Sequence, residues 1–447
     1  MQKNQYTILL RLGIPIMVGQ LGTIVMGFAD TLMIGRHSTH ELAAAGFANN
    51  IVGLALIAAI GFSYGLTPVV GALLGAGREN ETAQKLKNSL LANNIVAMTM
   101  MCVLGIIYLN LHHMKLPSDL LPVIRPYYLL LVLSLLPQMA FNAFKQFFDG
   151  LQDTRTPMWI MLSGNALNIV GNWLLIFGLF GLPELGLVGA GIATLLSRIF
   201  MWLCMAAIFH LSPRYNLHAR QFRTSQINGT DLRQSFRLGL PLMLQMGMET
   251  AAFSLSAFYV GWLGVNALAA HQVMITIGQL CFMLYYGMAS AVAVQVSYYR
   301  GKGEFVHTRT TARAGLRLTW LLALLIGLPV FVFRNDVGSL FNTDPQVVQM
   351  VGALIPVFCL YQLGDALQCI YSNALRGMED VRPMIRIAFI SYVLVSLPLG
   401  YLFAFPLDGG LTGVWWAFPF GLTTAGLLYL QRFRRTTSLQ TQQAPPT

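Results

Sequence analysis

The chain has 447 residues, of which 55% are hydrophobic and only 10% are Asp, Glu, Lys or Arg. A soluble domain of average composition carries about a quarter charged residues, so this chain cannot cover a water-facing surface. Its formal charge of +11 would suggest a nucleic-acid partner in a soluble protein, but here it indicates basic loops on the cytoplasmic side of a membrane. Composition therefore excludes a soluble enzyme, a disordered chain and a disulfide-rich secreted domain, and no nucleic-acid partner is expected.

Runs of about twenty apolar residues recur along the whole chain, each long enough to cross a bilayer as a helix. No strand-like alternation accompanies them, and backbone groups in lipid must be satisfied within the segment, so the runs are predicted to be helices. The pattern predicts twelve spans, at residues 8–35, 42–74, 88–111, 121–148, 157–179, 187–210, 235–262, 266–299, 314–333, 347–375, 384–405 and 411–431.

The basic residues predict the orientation of these spans. With the N-terminus in the cytoplasm, 23 of the 28 Lys and Arg residues fall on the cytoplasmic side. Four fall on the other side (Arg36, Lys115, Arg125 and Arg334), and Arg198 falls within a span. Because cytoplasmic loops are enriched in Lys and Arg, both termini are predicted to be cytoplasmic.

An internal repeat relates the two halves of the chain at an offset of about 226 residues. The matching motifs are residues 11–15 with 237–241, 42–44 with 268–270, 75–77 with 301–303, 150–155 with 377–382, and 186–189 with 410–413. The offset covers six spans, an even number, so the halves are expected to be parallel repeats about an axis along the membrane normal. The predicted fold is all-α, with twelve transmembrane helices in two six-helix lobes related by a pseudo-two-fold axis. The predicted boundaries are 1–210 for the N-terminal lobe, 211–234 for a cytoplasmic linker, 235–432 for the C-terminal lobe and 433–447 for a cytoplasmic tail.

Three acidic residues, Asp30, Glu249 and Asp365, lie well inside predicted spans. A charged side chain near the bilayer centre costs about 2.5–3.5 kcal/mol on insertion scales, so such residues are candidates for function. A structural explanation is a carboxylate held by hydrogen bonds between helices. Three carboxylates, with Arg198 as their one basic partner inside the spans, favour binding of a cation or proton. None of the three is duplicated, and the residues at the equivalent positions of the other half are Ser256, Thr23 and Met139, respectively.

Further polar residues lie in the same spans and are candidates for the same sites. Asn168 and Asn172 are four residues apart, so both amides are expected on one face of a helix, and Thr194 lies in the next span. Tyr361 is one helical turn before Asp365. Such side chains also hydrogen-bond between helices in many membrane bundles, and at this point the structural and functional interpretations weigh about equally.

Other motifs favour structural roles. Asp153 and Asp380, in the repeated Gly-x-x-Asp-x-Arg loops, are expected to cap the following helix or to pair with a nearby Arg, and His271 is expected to be a satisfied histidine near a helix end. The glycine-rich loop at 75–78 lacks the Lys-Ser/Thr pair of a nucleotide-binding loop, which argues against ATP-driven transport. The five cysteines lie in apolar runs at no metal-like or disulfide-like spacing, so neither a zinc site nor a redox framework is expected.

Several motifs together resemble the multidrug and toxic compound extrusion (MATE) family, closest to its NorM-type branch, over residues 8–432. They are GFADT (27–31), PVVGA (68–72), NIVGNW (168–173), PELG (183–186), VGAGIAT (188–194), LAAHQ (268–272), YQLGDALQ (361–368) and LRGMED (375–380). The resemblance implies two bundles of six helices that form a V-shaped cleft, and export of organic cations and drugs by sodium or proton antiport.

The resemblance also implies roles for individual residues. Members of the family carry an Asp late in the first span, two Asn in the fifth and a Thr in the sixth, which Asp30, Asn168, Asn172 and Thr194 match. NorM-type members place a Glu in the seventh span and an Asp in the tenth, with a Tyr one turn earlier, and these residues are implicated in cation coupling. The residues that match this second set, and that would hold a sodium ion, are Glu249, Asp365 and Tyr361.

The sequence is thus interpreted as a multidrug antiporter of a bacterial-type inner membrane, and not as an enzyme. Its expected partners are small organic cations and membrane lipids, the expected state is a monomer, and the expected cofactor is none beyond the coupling ion, Na⁺ or H⁺. One alternative is a flippase for lipid-linked precursors, but such proteins usually need a strongly basic cavity, and Arg198 is the one basic residue deep in a span. An alternative from another class is an intramembrane aspartyl protease, against which the chain lacks a Gly-x-Gly-Asp motif.

Overall fold

The computed structural model describes residues 2–114 and 120–443, and every regular element in these ranges is helical. Lys115 and residues 444–447, the end of the predicted tail, lie outside the described residues. The helices are α1 (Gln2–His37), α2 (Thr39–Ser63), α3 (Leu66–Gly75), α4 (Thr82–Leu109), α5 (Leu121–Leu133), α6 (Leu135–Gly150), α7 (Arg155–Phe177), α8 (Gly186–Leu211), α9 (Asn216–Thr224), α10 (Gly229–Trp262), α11 (Val265–Gly301), α12 (Phe305–Val332), α13 (Arg334–Val337), α14 (Pro345–Gly377), α15 (Arg382–Ala388), α16 (Leu397–Ala404) and α17 (Gly410–Gln443).

Eleven segments of the described chain are long and apolar enough to cross a membrane. They coincide with eleven of the twelve predicted spans, and α10, which is 34 residues long, occupies the position of the predicted seventh span. Two breaks divide single spans into paired helices, α2 with α3 and α5 with α6. The prediction of an all-helical polytopic membrane protein is confirmed.

One span contains a stretch of wider helix. Between α15 and α16 the chain forms a π-helix, Phe389–Ser396. Such segments are rare and occur frequently at functional sites, because they redirect side chains relative to a regular α-helix. Here the π-helix directs Ser391 and Tyr392 into the protein interior, where both are buried.

The internal repeat is reproduced in the hydrogen bonds of the turns. At the end of α6 the backbone N–H of Asp153 donates to the carbonyl of Phe148, and at the end of α14 that of Asp380 donates to Leu375. Both turns place a residue with a side chain in the left-handed region, Gln152 at φ 64° and its repeat equivalent Glu379 at φ 57°. The two halves therefore share local geometry as well as sequence.

Glycines repeat for a steric reason. The helix that forms the sixth span of each half begins at a left-handed glycine, Gly186 at φ 52° and Gly410 at φ 51°. Three residues later, a Cβ on Gly189 would lie 2.7 Å from the backbone carbonyl of Leu175, and one on Gly413 would lie 2.4 Å from that of Phe403. Only glycine permits these close helix contacts, so the repeated Gly-Leu-x-Gly motif sets how the fifth and sixth spans of each half pack.

The chain divides into two compact units, Val18–Met243 and Met1–Met17 with Leu244–Thr447; we call them the N-terminal and C-terminal units. Their limits fall inside α1 and α10, whereas the lobe boundaries predicted at 210 and 235 follow helix count and stay a prediction. The predicted linker 211–234 contains α9 and the start of α10. Within the N-terminal unit, a cluster rich in phenylalanine joins α6 to α8 and fixes the position of α8: Phe141, Phe144, Phe147, Phe148 and Phe209.

Candidate functional site

The N-terminal unit contains a chain of polar side chains that starts at Asp30 on α1. The amide nitrogen of Asn172 donates to the Asp30 carboxylate and lies 3.2 Å from the side-chain oxygen of Asn168. The amide nitrogen of Asn168 in turn lies 3.3 Å from the hydroxyl of Thr194. Both asparagines are fully buried and Asp30 is half-buried. The structure thus brings these four predicted site residues together.

The close packing of α7 against α8 explains why this chain forms. A Cβ on Gly171 would lie 3.1 Å from the Cβ of Ala193, so the two helices approach closely at this point. This contact places the neighbouring residues, Asn172 on α7 and Thr194 on α8, at the same height along the two helices. Asn168, one turn before Asn172, bridges the remaining distance to the hydroxyl.

Arg198 lies near this polar chain and was predicted only as a basic residue within a span. It follows Thr194 by four residues on α8, which places the two side chains on one face. Its Nη1 atom donates to the hydroxyl of Ser134, 2.6 Å away, at the break between α5 and α6. Arg198 also lies close enough to Asp30 for an electrostatic attraction.

The C-terminal unit contains a second and more deeply buried acidic cluster. Both oxygens of the Glu249 carboxylate accept hydrogen bonds from amides: Oε1 from Gln368 at 2.9 Å and Oε2 from Gln245 at 3.1 Å. Gln245 is one turn before Glu249 on α10, whereas Gln368 comes from α14. Two amide donors stabilise the ionised form of a buried carboxylate.

Asp365, on α14, differs from Glu249 in that one of its oxygens is left without a partner. The side chain is 2% exposed, and its Oδ2 atom is buried without a hydrogen bond. Other buried polar atoms near it are also unpaired, namely both amide atoms of Gln362 and the hydroxyl of Tyr285. Asp365 is within electrostatic range of Glu249 and of Tyr285. Unpaired buried polar atoms are costly, and several in one place indicate a site for water, a proton or a cation.

Tyr361, the third residue predicted for a cation site, belongs to an aromatic cluster. Its ring stacks on Phe358, with centroids 5.6 Å apart, and meets Trp415 at 6.3 Å and Phe418 at 6.3 Å. The same Trp415 donates to the Nδ1 atom of buried His271 at 3.2 Å, so that histidine is hydrogen-bonded as expected. Tyr361 itself lies within electrostatic range of both carboxylates.

Within the described residues, no group of three or more His, Cys, Asp or Glu side chains is arranged so that it could hold a metal ion. A cation at Glu249 and Asp365 would therefore be held by two carboxylates and by neutral oxygens, a donor set that suits a hard cation.

The hydrogen-bond partners of Glu249 and of Arg198 were not predicted from the sequence. Gln245 could have been found, because it lies four residues before Glu249 on the same helical face. Gln368 and Ser134 come from other helices, and one sequence gives no signal for such contacts. The structure also adds two buried basic residues near the ends of spans, Lys145 and Arg376.

The repeated loops bind the ends of helices or the chain that follows them. Asp153 accepts hydrogen bonds from Thr156 and Tyr215 and an ion pair from Arg214. Asp380 pairs with Arg432, 2.6 Å away, and accepts a hydrogen bond from Thr436. These contacts lie outside both clusters and fit the structural role expected for the motif, with arginines that are distant in sequence.

A model of the MatE family matches residues 15–174 and 241–402 of this sequence. The match covers well over half of the chain and both halves of the repeat. The chain belongs to the MATE family. Members of this family are transporters, so this protein is a multi-pass membrane transporter and not an enzyme.

Solved structures with the same fold include MATE transporters. A mutant of the Vibrio cholerae MATE transporter VcmN matches with a TM-score of 0.89 at 18% identity, over 98% of both chains. A MATE protein in complex with MaL6 matches with a TM-score of 0.87 at 21% identity, over 98% of this chain and 97% of the other. The eukaryotic MATE transporter AtDTX14 matches with a TM-score of 0.87 at 18% identity, over 99% of both chains. At these identities the likeness establishes the twelve-helix fold and nothing of the substrate.

Proposed function

We propose that this transporter is a multidrug efflux antiporter of the NorM-type branch. It exports amphipathic, often cationic organic compounds in exchange for Na⁺ or H⁺. It works as a monomer in a bacterial-type inner membrane, surrounded by lipid and with both termini in the cytoplasm. Membership of the MATE family supports transport, and the acidic cluster of the C-terminal unit supports ion coupling.

The observation that carries the proposal is the contrast between Glu249 and Asp365. Glu249 has a hydrogen-bond donor on each oxygen, while Asp365 keeps one buried oxygen free. Two like charges in a low-dielectric interior repel each other, and a proton or cation between them removes that repulsion. The pair therefore suits reversible binding of the driving ion better than it suits holding the fold together.

The polar chain from Asp30 to Thr194 is proposed as the site of the N-terminal unit that takes part in substrate or ion binding. Its carboxylate is half-buried and so more accessible than the pair in the other unit. Binding of an ion in one site and of substrate in the other favours different conformations, and alternating access follows from that difference in affinity. Inward movement of a positive charge gains about 2.3 kcal/mol per 100 mV of negative-inside potential.

Efflux assays with purified protein in proteoliposomes test the proposal. Rhodamine 123, an organic cation, is loaded into the vesicles, and an inward Na⁺ gradient or an inward proton gradient is imposed separately. We expect one of the gradients to accelerate dye export at least about tenfold over vesicles without a gradient. Export that is indifferent to both gradients would refute antiport.

A further inference from the structure

A line of polar residues runs along one face of α14, starting at the acidic cluster. Its members follow one another at steps of four, three and four residues, which places them on one side of a helix: Asp365, Cys369, Ser372 and Arg376. All residues of α14 from 364 to 377 are buried, so this face points into the protein interior. At the rise of an α-helix the line is about 17 Å long.

Three buried oxygen atoms beside this line have no hydrogen-bond partner among the described residues. They are the Oδ2 atom of Asp365, the hydroxyl of Tyr285 on α11 and the side-chain oxygen of Asn373. Asn373 is the most exposed of the three residues, at 7%, and its amide nitrogen donates to the carbonyl of Cys369 at 2.9 Å. A buried polar atom without a partner is costly, and in folded proteins ordered water commonly satisfies such atoms.

Tyr285 is brought to this line by the packing of α11 on α14. Two contacts align the helices, Gly278 with Phe358, where a Cβ would lie 3.6 Å from the ring, and Gly377 with Ala293, where a Cβ would lie 2.7 Å from the carbonyl. Tyr285 lies about halfway along α11 between these contacts, so it is level with the turn of α14 that follows Asp365. Its hydroxyl therefore continues the series of open oxygens that begins at the carboxylate.

The line ends near the surface of the C-terminal unit. Arg376 is 4% exposed, and its Nη1 atom donates to the hydroxyl of Tyr286 at 3.3 Å. Three residues later the chain turns at half-buried Glu379, which pairs with Arg300 at 3.0 Å. In the predicted orientation of the spans this end faces the cytoplasm, so the line leads from the acidic cluster to the cytoplasmic side.

The other half of the repeat carries a similar line that its own side chains close. At the offset of the Gly-x-x-Asp-x-Arg loops, Lys145 and Asp149 occupy the last two positions of the line, and they form an ion pair at 2.8 Å. Gln146 is the equivalent of Asn373, and its side-chain oxygen accepts a hydrogen bond from Thr67 at 2.6 Å. The open oxygens are thus particular to the unit with two buried acids, and the shared scaffold does not require them.

We propose that this face of α14 holds a chain of buried water molecules that carries protons between the acidic cluster and the cytoplasm. One O–H bond breaks and one forms at each water, so a proton that enters at one end releases a proton at the other. A metal ion would have to replace its hydration shell with several oxygens at every point, whereas the line offers single oxygens. The inference rests on the proposed function, because it gives the driving proton a route.

Exchange of the Cys369 thiol proton tests for water on this line without any transport. The other four cysteines are replaced by alanine, and the S–H band of the purified full-length protein is followed by infrared spectroscopy after transfer to D₂O. We expect exchange at least about tenfold faster than in a matched control, because water reaches this thiol without local unfolding. The control is Asn142→Cys with Cys369→Ala, since Asn142 is the repeat equivalent of Cys369 and is 5% exposed.

Two substitutions interrupt the proposed chain without changing the acids. Asn373→Leu and Tyr285→Phe should each lower the maximal rate of proton-driven rhodamine 123 efflux about fivefold or more, through loss of one hydrogen-bonding group, with the pH of half-maximal efflux unchanged. Asn373→Leu should also slow exchange of the Cys369 thiol, and Asn373→Ser, which keeps a polar atom, should restore most of both rates. If Asn373→Leu does not fold, Tyr285→Phe, which keeps the ring, replaces it.

The matched control for these variants is Asn142→Leu. It removes a buried amide that makes the same kind of backbone hydrogen bond as Asn373, here to the carbonyl of Gln138 at 2.9 Å, and it should transport normally.

The inference is overturned if the Cys369 thiol exchanges no faster than the thiol of Asn142→Cys, or if Asn373→Leu and Tyr285→Phe leave the proton-driven rate unchanged. It is also overturned if a Na⁺ gradient drives efflux and a proton gradient does not, an outcome that leaves the proposed antiport intact. If neither gradient drives efflux, the proposed antiport fails with the proton route, and fast exchange of the Cys369 thiol would then support the water chain alone.

Discussion

The two halves of this transporter share a scaffold but differ in the charges they bury. The N-terminal unit holds an open polar chain with one acid, Asp30, and one base, Arg198. The C-terminal unit holds two buried acids, Glu249 and Asp365. Of these, only Glu249 accepts hydrogen bonds from amides. The turns and glycine contacts recur in both halves, whereas the acidic residues inside the spans do not.

The positions equivalent to the three acids confirm this division of roles. Thr23 and Ser256 donate to backbone carbonyls of their own helices, at 3.3 Å to Gly19 and 2.7 Å to Phe253. Met139 is a fully buried apolar side chain. Each equivalent residue is satisfied locally, which means that the scaffold does not need a carboxylate at these places.

The largest expected effect comes from the acids of the C-terminal unit. Glu249→Gln and Asp365→Asn should each lower gradient-driven efflux of rhodamine 123 at least about tenfold, because the pair is proposed to hold the driving ion. The double variant should lose little more than either single one, since residues that act as a unit are not additive.

The matched control for this pair is Asp336→Asn, which neutralises an exposed carboxylate in the same unit and should transport normally. If both single variants kept the wild-type dependence on the driving ion, Glu249 and Asp365 would not couple transport to the ion. Asp30 would then be the coupling group.

A somewhat smaller effect is expected at the acid of the N-terminal unit. Asp30→Asn should reduce export about three- to tenfold, because the half-buried carboxylate is proposed to contact substrate or ion, while Asn172 and its neighbours keep the polar chain in place. Export by this variant is measured as the drug resistance of cells at matched expression. Monodispersity of the purified variant is the folding control. Resistance equal to wild type would remove the N-terminal site from the mechanism.

The two acids of the C-terminal unit differ in their amide donors, and removing one donor from Glu249 tests what that difference does. Gln368→Met keeps the side-chain size but removes the 2.9 Å hydrogen bond to Glu249. Hydrogen bonds to charged groups contribute about 1.5–3 kcal/mol, and this donor stabilises the ion-free carboxylate, so its loss should lower the half-saturating concentration of the driving ion several-fold with little change in maximal rate. Gln272→Met, at an exposed position on α11, is the control, and an unchanged ion dependence in Gln368→Met would show that Glu249 needs no clamp.

The smallest expected effect is on the pH dependence of folding stability, which must be distinguished from the pH dependence of ion-coupled transport. Burial of His218 on α9, beside the hydroxyl of Thr82 at 3.1 Å, lowers its pKa below the usual 6.5, and Glu79 opposes that shift only in part. The folded state therefore resists a proton that the unfolded state accepts, so stability is complete above about pH 6.5 and falls as the pH drops below it.

Thermal unfolding in detergent between pH 7.5 and 5 measures this linkage. His218→Gln should flatten the pH dependence slightly, whereas His112→Gln, at an exposed position, should not. An unaltered curve in His218→Gln would place the acid sensitivity elsewhere, the acidic clusters included.

Much of the fold was predictable because membrane spans are long and largely apolar, and because the repeat supplied a second copy of several turn motifs. Of the site residues, the charged ones were predictable because a charge inside a lipid bilayer is energetically costly. Asp30, Glu249 and Asp365 were identified on that ground. What one sequence could not give was the partner across helices. Gln368 and Ser134 are ordinary polar residues in their own helices, and only packing shows which carboxylate or guanidinium they meet.

The paired turns at Gln152 and Glu379 bear on the practical handling of this protein. A residue with a side chain in the left-handed region costs on the order of 1 kcal/mol relative to glycine. Glu379 pairs with Arg300 at 3.0 Å, and both Glu379 and Gln152 adopt a left-handed backbone that glycine enters at lower cost. Gln152→Gly therefore measures whether relief of backbone strain outweighs loss of the glutamine side chain, with the lifetime of the protein in detergent as the readout.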